Sequence, residues 1–372
     1  MGPVIALGLA RFAYALLLPA MRSDLGWSYA GAGALNTANA AGYLAGALLA
    51  TSAARRLGMK RAFLTSIIAT AAAVGAAGLT ASFATLMVLR FIAGVSGGIA
   101  FVTGGAMTAA IGTSPARSTL ALGMYFSGGG LGIAVSALAV PLLLDAVGWR
   151  GGWLTLGALA AGAVLISIPA LLRAPLPAAQ TRSVGHSWPL RVIGVQLLGY
   201  ALFGAGYIAY ATFIIAQLRT ASHFSARDIS IFWALLGLSA IAGVFAWSPV
   251  LARLKGGWGG AATIGVVTVG AALPLASAGK PVAYASAVLF GGSFLSTITA
   301  VTSLARRVAP ASAWTKAIAA LTVAFGIGQC IGPFLSGYLS DGPDGVRGGL
   351  QLSAGILVCA VIVSAFQREQ SK

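Results

Sequence analysis

Residues 46–57 read GALLATSAARRL, and residues 243–254 read GVFAWSPVLARL. In each, a glycine stands ten positions before an Arg-Leu pair: Gly46 before Arg56-Leu57, Gly243 before Arg253-Leu254. The step from Gly46 to Gly243 is 197 residues. The same step carries Gly148-Trp149-Arg150-Gly151-Gly152 onto Gly345-Val346-Arg347-Gly348-Gly349, Arg22 onto Arg219, and Gly94 onto Gly291. One period shared by separate segments marks a duplicated structural unit.

Composition says what the unit is made of. The 372 residues are 58% hydrophobic and 8% charged, whereas a soluble domain carries about 25% charged residues. Most of the chain therefore has lipid as its solvent. A bilayer core about 30 Å thick needs roughly 20 apolar residues per helix, and the chain offers twelve such segments, six in each copy. The 51 glycines suit helices that pack closely in lipid. The expected fold is an all-α integral membrane protein, its twelve transmembrane helices arranged as two parallel six-helix pseudo-repeats. The halves are 1–172 and 191–372, joined by a polar, proline-containing cytoplasmic linker, 173–190.

The net charge of +17 is distributed, not clustered. Of 23 lysines and arginines, fifteen fall in loops and the tail on one side, six on the other, and Arg11 and Arg90 lie within spans. This positive-inside bias places both termini in the cytoplasm and argues against nucleic-acid binding. All five aspartates fall on the outer side or at outer helix ends. The first segment reads as a span and not a cleaved leader, because no basic stretch precedes it. Cys330 and Cys359 sit inside helical segments and read as packing residues, and His186 and His223 fall in loops, so no metal site is expected. No phosphate-binding loop and no nucleophile–base constellation is visible, so neither ATP-driven action nor enzyme activity is expected, and no cofactor.

The run Arg90-Phe-Ile-Ala-Gly94-Val-Ser-Gly97-Gly98 resembles the fourth-helix motif of the major facilitator superfamily. The basic loop Arg55-Arg56-Leu57-Gly58-Met59-Lys60-Arg61 resembles that family's motif between helices two and three, with Arg55 near the place of the usual Asp. GWRGG (148–152) and GIGQCIGPFLSGYLSD (326–341) are similar to family segments as well. ARFAYALLLPAM (10–21) with NAAGYLAGALL (39–49) resembles the bacterial YbfB/YjiJ-like subgroup. The resemblance implies alternating access around a site near mid-membrane, a monomer, and gating or structural roles for Arg56, Gly58, Gly94 and Arg253.

A charge at the bilayer centre costs several kcal/mol, with estimates from about 2.5 to above 10, and is kept only where it meets a partner or a wet cavity. Arg11 lies about 15 Å along its helix, at 1.5 Å per residue. Asp24 is too far along the same helix to pair with it. At the 197-residue step Arg11 maps to Ile208 and Arg90 to Ala287, so neither has a counterpart in the second copy. No Asp or Glu lies inside a span. An anionic substrate, a carboxylate above all, is the economical neutraliser, because the planar guanidinium fork binds carboxylates bidentately. A backbone and water partner at a helix break is the competing reading for Arg11. For Arg90 it is a structural role in the family motif.

Tyr14, Asn36, Asn39, Tyr207, Tyr210 and Gln329 are the further candidates for the substrate site, with Tyr43 a turn on from Asn39. The glycine face of helix four that carries Arg90 is expected to pack on the small face of helix five at Gly123, Ser127, Gly130, Ala134 and Ala137. With no buried carboxylate to relay protons, uniport, exchange with a counter-anion, or symport with a proton carried by the substrate all stay open, and Asp24 and Asp341 are candidate titrating groups. The alternatives are a drug or cation exporter of the same fold and, in another class, a non-transporting membrane sensor.

Overall fold

The computed structural model describes residues 1–111, 115–173, 188–310 and 313–369. Most of the expected linker, with Arg182 and His186, lies outside the described residues. We number the crossing helices α1 (Val4–Leu25), α2 (Tyr29–Leu57), α3 (Met59–Ala76) and α4 (Phe83–Ile111). The run Pro115–Arg173 loses helical geometry at Gly148 (φ 63°, ψ −179°), giving α5 (115–147) and α6 (149–173). Next come α7 (Gly194–Thr220), α8 (Ala226–Ala246), α9 (Trp258–Ala276), α10 (Lys280–Val308), α11 (Trp314–Ser340) and α12 (Gly345–Ala365). Among the described residues, ten helical stretches are long and apolar enough to cross a membrane. The broken α5–α6 run supplies two crossings, and α2, diluted by Asn36, Thr37 and Asn39, completes twelve.

Successive helices reverse direction. The α1–α2, α3–α4, α5–α6, α7–α8, α9–α10 and α11–α12 connections therefore share one end of the bundle, the Asp341 end, and the Arg55–Arg61 loop lies at the other. The duplication is written into the backbone. Gly148 and Gly345 both take a positive φ (63° and 56°), and so do Gly26 and the residue 197 positions on, His223 (65° and 50°). Ser28 caps α2 by accepting from the Gly31 N–H, and Ser225 caps α8 by accepting from the Asp228 N–H, again one step apart.

The glycines explain the packing. A Cβ on Gly94 of α4 would sit 2.2 Å from the Asn39 carbonyl oxygen of α2, and one on Gly291 of α10 would sit 2.3 Å from the Leu236 oxygen of α8. Asn39 and Leu236 are themselves one step apart, so both copies use the same backbone-to-backbone contact. This corrects the expected α4–α5 pairing. The small face of α4 packs on α2, and that of α5 packs across the bundle: Gly130 meets the Gly237 backbone of α8, and Ser230 donates to the Ala137 carbonyl. Helices α4 and α5 do touch, through Tyr125, whose hydroxyl reaches the Ala100 and Phe101 carbonyls at 3.1 Å, but the backbone-to-backbone approaches of the α4 glycines Gly94 and Gly98 are to α2 and not to the small face of α5.

Helices α1 and α7 are the innermost. Every residue from Gly2 to Leu18 and from Phe203 to Leu218 is buried. Large apolar side chains such as Leu165 and Ile166 of α6 face outward, as a lipid environment requires. The first part of α1, Val4–Phe12, is wound as a π-helix that closes with the Ala13 N–H on the Gly8 oxygen, 3.0 Å. π-helical turns concentrate at functional sites, and this stretch carries Arg11.

Candidate functional site

Four side chains from four helices meet at one level. Arg11 is 14 residues from the end of α1, Tyr43 is 14 from the start of α2, Tyr207 is 13 from the end of α7 and Gln329 is 11 from the end of α11. At 1.5 Å per residue all lie about 17 to 21 Å from the Asp341 end, within the middle of a bilayer core. Arg11 is 2% exposed and its guanidinium stands over the Tyr43 ring, 5.3 Å from the centroid. Its Nε and Nη2 have no hydrogen-bond partner among the described residues. Tyr43, Tyr207 and Cys330 lie within electrostatic reach of its charge. The Gln329 amide Nε2 donates to the Tyr207 hydroxyl, and its Oε1 is buried with no partner among the described residues. The Tyr207 ring stacks on Phe203, Phe325 and Phe294, with centroids 5.0, 5.5 and 6.0 Å apart. Phe294 meets Phe12, the neighbour of Arg11, edge-on at 5.6 Å.

Arg90 belongs to a second, better satisfied cluster. Its Nη1 donates to the Ala10 carbonyl and its Nη2 to Asn36 Oδ1 at 3.2 Å. Its guanidinium is flanked by the rings of Tyr14 and Trp153, at 4.8 and 5.6 Å. Asn36 Nδ2 donates in turn to Thr212 Oγ1 of α7 at 2.6 Å, so the cluster crosses from α1–α6 to α7–α12. Asn39 Nδ2 donates to the Arg90 carbonyl at 3.1 Å. The Tyr14 hydroxyl donates to the Ala32 oxygen, so this residue serves the Arg90 cluster and not Arg11. The chemistry of the two arginines therefore differs. Arg90 spends Nη1 and Nη2 on fixed oxygens and grips the carbonyl next to Arg11, leaving only its Nε unpaired among the described residues, while Arg11 leaves both Nε and Nη2 in reserve.

The remaining sequence candidates are more dispersed. Tyr210 shares a 2.6 Å hydrogen bond with Ser286 and packs on Phe290. Arg56 and Arg253 are exposed at the end opposite Asp341, and Gly58 holds a positive φ of 81° at the turn out of α2. Asp24 accepts from the Trp149 indole at 2.7 Å and lies 3.9 Å from Arg150. Asp341 accepts from the backbone N–H of Tyr29 (2.7 Å) and of Ala30 (2.9 Å), tying α11 to the start of α2. Sequence reasoning left Trp153, Thr212, Phe294 and Phe325 off the site. Each is an ordinary helix residue in sequence, and only the packing of α1 between α2, α6 and α7 gives it meaning.

The family described as "Uncharacterised MFS-type transporter YbfB" matches residues 3–365. A chloramphenicol resistance protein of Streptomyces lividans is 29% identical over 383 residues, covering 98% of this chain and 93% of that protein. Monocarboxylate transporter 11 of Homo sapiens is 29% identical over 271 residues, covering 65% of this chain and 55% of that protein. Among solved structures, the nucleoside transporter NupG superposes with a TM-score of 0.70 at 16% identity, over 98% of each chain. An inward-facing, unoccupied bacterial homologue of the human lysosomal transporter Spinster gives 0.72 at 15% identity, over 98% of this chain and 95% of that one. At these identities the structures show a shared fold alone.

Proposed function

We propose that this chain, which belongs to the YbfB-type family of major facilitator superfamily (MFS) transporters, moves a small organic anion, a carboxylate, that is held at mid-depth by Arg11. The supporting observation is the state of that side chain. A buried guanidinium with two unpartnered nitrogens costs several kcal/mol unless something neutralises it. The spans offer no carboxylate at that depth. A carboxylate solute meets both demands, taking parallel hydrogen bonds from the fork while the Tyr43 face supports the cation from behind.

The six-helix units 1–172 and 191–372 are read as the two bodies that rock about this level, with Arg56, Gly58, Gly94 and Arg253 shaping the hinge and gate regions. The arginine-rich loops face the cytoplasm of a bacterial-type inner membrane, with both termini there, and the working unit is a monomer. A proton or a counter-anion balances the charge moved. A second reading is supported by the full-length similarity to a chloramphenicol resistance protein and by the stacked rings of Phe203, Tyr207 and Phe325: export of a neutral or cationic aromatic solute.

A thermal-shift screen of the purified protein against small carboxylates and lipophilic cations separates the two, run on wild type and on Arg11→Gln. The anion reading expects carboxylates that raise the Tm of wild type only. Stabilisation of both proteins by cations or neutral aromatics, with none by any anion, would reject it.

A further inference from the structure

The Arg11 level holds an unmet acceptor as well as unmet donors. Gln329 is 1% exposed, and with Nε2 committed to the Tyr207 oxygen its Oε1 is a buried acceptor with no partner. Accepting from Gln329 also frees the Tyr207 hydroxyl hydrogen, so the level presents guanidinium and phenol donors beside one amide acceptor. A simple carboxylate satisfies the donors and leaves Oε1 stranded. Burying a polar atom unpaired is penalised, and the penalty lasts as long as the site is closed around its ligand.

Resting on the anion reading above, we infer that the transported anion also carries a hydrogen-bond donor close to its carboxylate, and that Gln329 selects for it. The donor is a hydroxyl and not an ammonium group. Arg11 and Arg90 already place two positive charges within electrostatic reach of each other, and the acids that the spans contain, Asp24, Asp145 and Asp228, sit near helix ends and not at that depth to offset a third. The substrate class is therefore the hydroxy carboxylates. Gln329 acts as a specificity-determining residue on α11, opposite the charge-determining residue on α1. The Tyr207 ring and its stacked neighbours Phe325 and Phe294 form the apolar wall between them.

The test is a binding titration of wild-type protein in detergent with matched pairs of C3 to C5 carboxylates, each hydroxy acid against its deoxy counterpart. Gln329→Met and Arg11→Gln are measured alongside. Leaving one buried acceptor unpaired corresponds to about a tenfold loss or more, so in wild type the hydroxy acid should bind about tenfold or more tightly than its counterpart. Gln329→Met should close that gap while still binding carboxylates, and Arg11→Gln should bind neither. Equal affinity of the pairs for wild type overturns the role of Gln329 and leaves the anion reading standing. A gap that persists in Gln329→Met overturns it as well. Absence of any carboxylate binding to wild type overturns both. The wild-type comparison needs no variant to fold, so it decides the matter alone if Gln329→Met does not.

Discussion

Replacing Asp341 by Ala should open the end of the bundle that it closes. The carboxylate accepts the first two helical N–H groups of α2, from Tyr29 at 2.7 Å and Ala30 at 2.9 Å, while Ser28 takes the third, from Gly31 at 3.0 Å. Helix starts leave these donors without internal partners, and an anion there also meets the positive end of the helix dipole. The cap comes from α11, so it exists only while the two groups of helices are together at this end. Close approach supports it: Cβ atoms on Gly33 and Gly337 would fall 2.2 and 2.4 Å from the carbonyl oxygens of Pro333 and Tyr29. Losing a cap costs about 0.5–2 kcal/mol, and hydrogen bonds to a charged group are worth about 1.5–3. Ala30 is half-buried, so water compensates part of the loss. A net weakening of about 1–2 kcal/mol, applied to the closed state only, shifts the population of an open state by about 5- to 30-fold. Spin labels on the exposed residues Ala81 and Ala221, one in each group of helices at this end, report the separation by pulsed electron resonance. Asp341→Ala should add a longer-distance population, with a smaller one in Asp341→Asn, which keeps an acceptor but no charge. An unchanged distance distribution in a folded Asp341→Ala protein would refute the reasoning.

Two further predictions concern stability. Gly94→Ala should lower the Tm because its Cβ would sit 2.2 Å from the Asn39 oxygen, whereas Gly355→Ala, with open space around its Cβ position, should hold or raise it by up to about 1 kcal/mol of helix propensity; equal effects would remove the close-packing account. Glu369 accepts from the Gly256 N–H at 2.8 Å and from Arg307 Nε at 3.0 Å. The Gly256 N–H first, and then the Arg307 and Lys255 charges, hold its carboxyl below the ordinary glutamate range against the opposing effect of burial. A lowered folded pKa means that this link stabilises above about pH 4.3, the unfolded value, and is lost as pH falls through the lowered value. The acid-induced drop in Tm between pH 7 and 3 should therefore be smaller in Glu369→Gln than in wild type, and identical drops would discount the link.

The sequence alone determined the class of the fold. Twelve apolar runs and a 197-residue step at Arg56/Arg253 and Gly148/Gly345 leave little choice, because a backbone in lipid must satisfy its own hydrogen bonds as helices and a duplicated chain folds twice the same way. The odd status of Arg11 and Arg90 was legible too, since burial of a charge among apolar residues shows in one dimension. Their difference was not. Two arginines with the same surroundings in sequence become a gripped residue and a reserved one only when Ala10, Asn36, Tyr14 and Trp153 close around Arg90. Pairing of α4 with α2 and of α5 with α8 was likewise decided in three dimensions. Helix neighbours in lipid are chosen by how closely two small-residue faces approach, and the periodicity of one helix says that such a face exists but not which helix meets it. The same reason hid Trp153, Phe294 and the unpaired oxygen of Gln329: a hydrogen-bond deficit belongs to an assembled site, and it has no signature until the helices that leave it unpaired are in place.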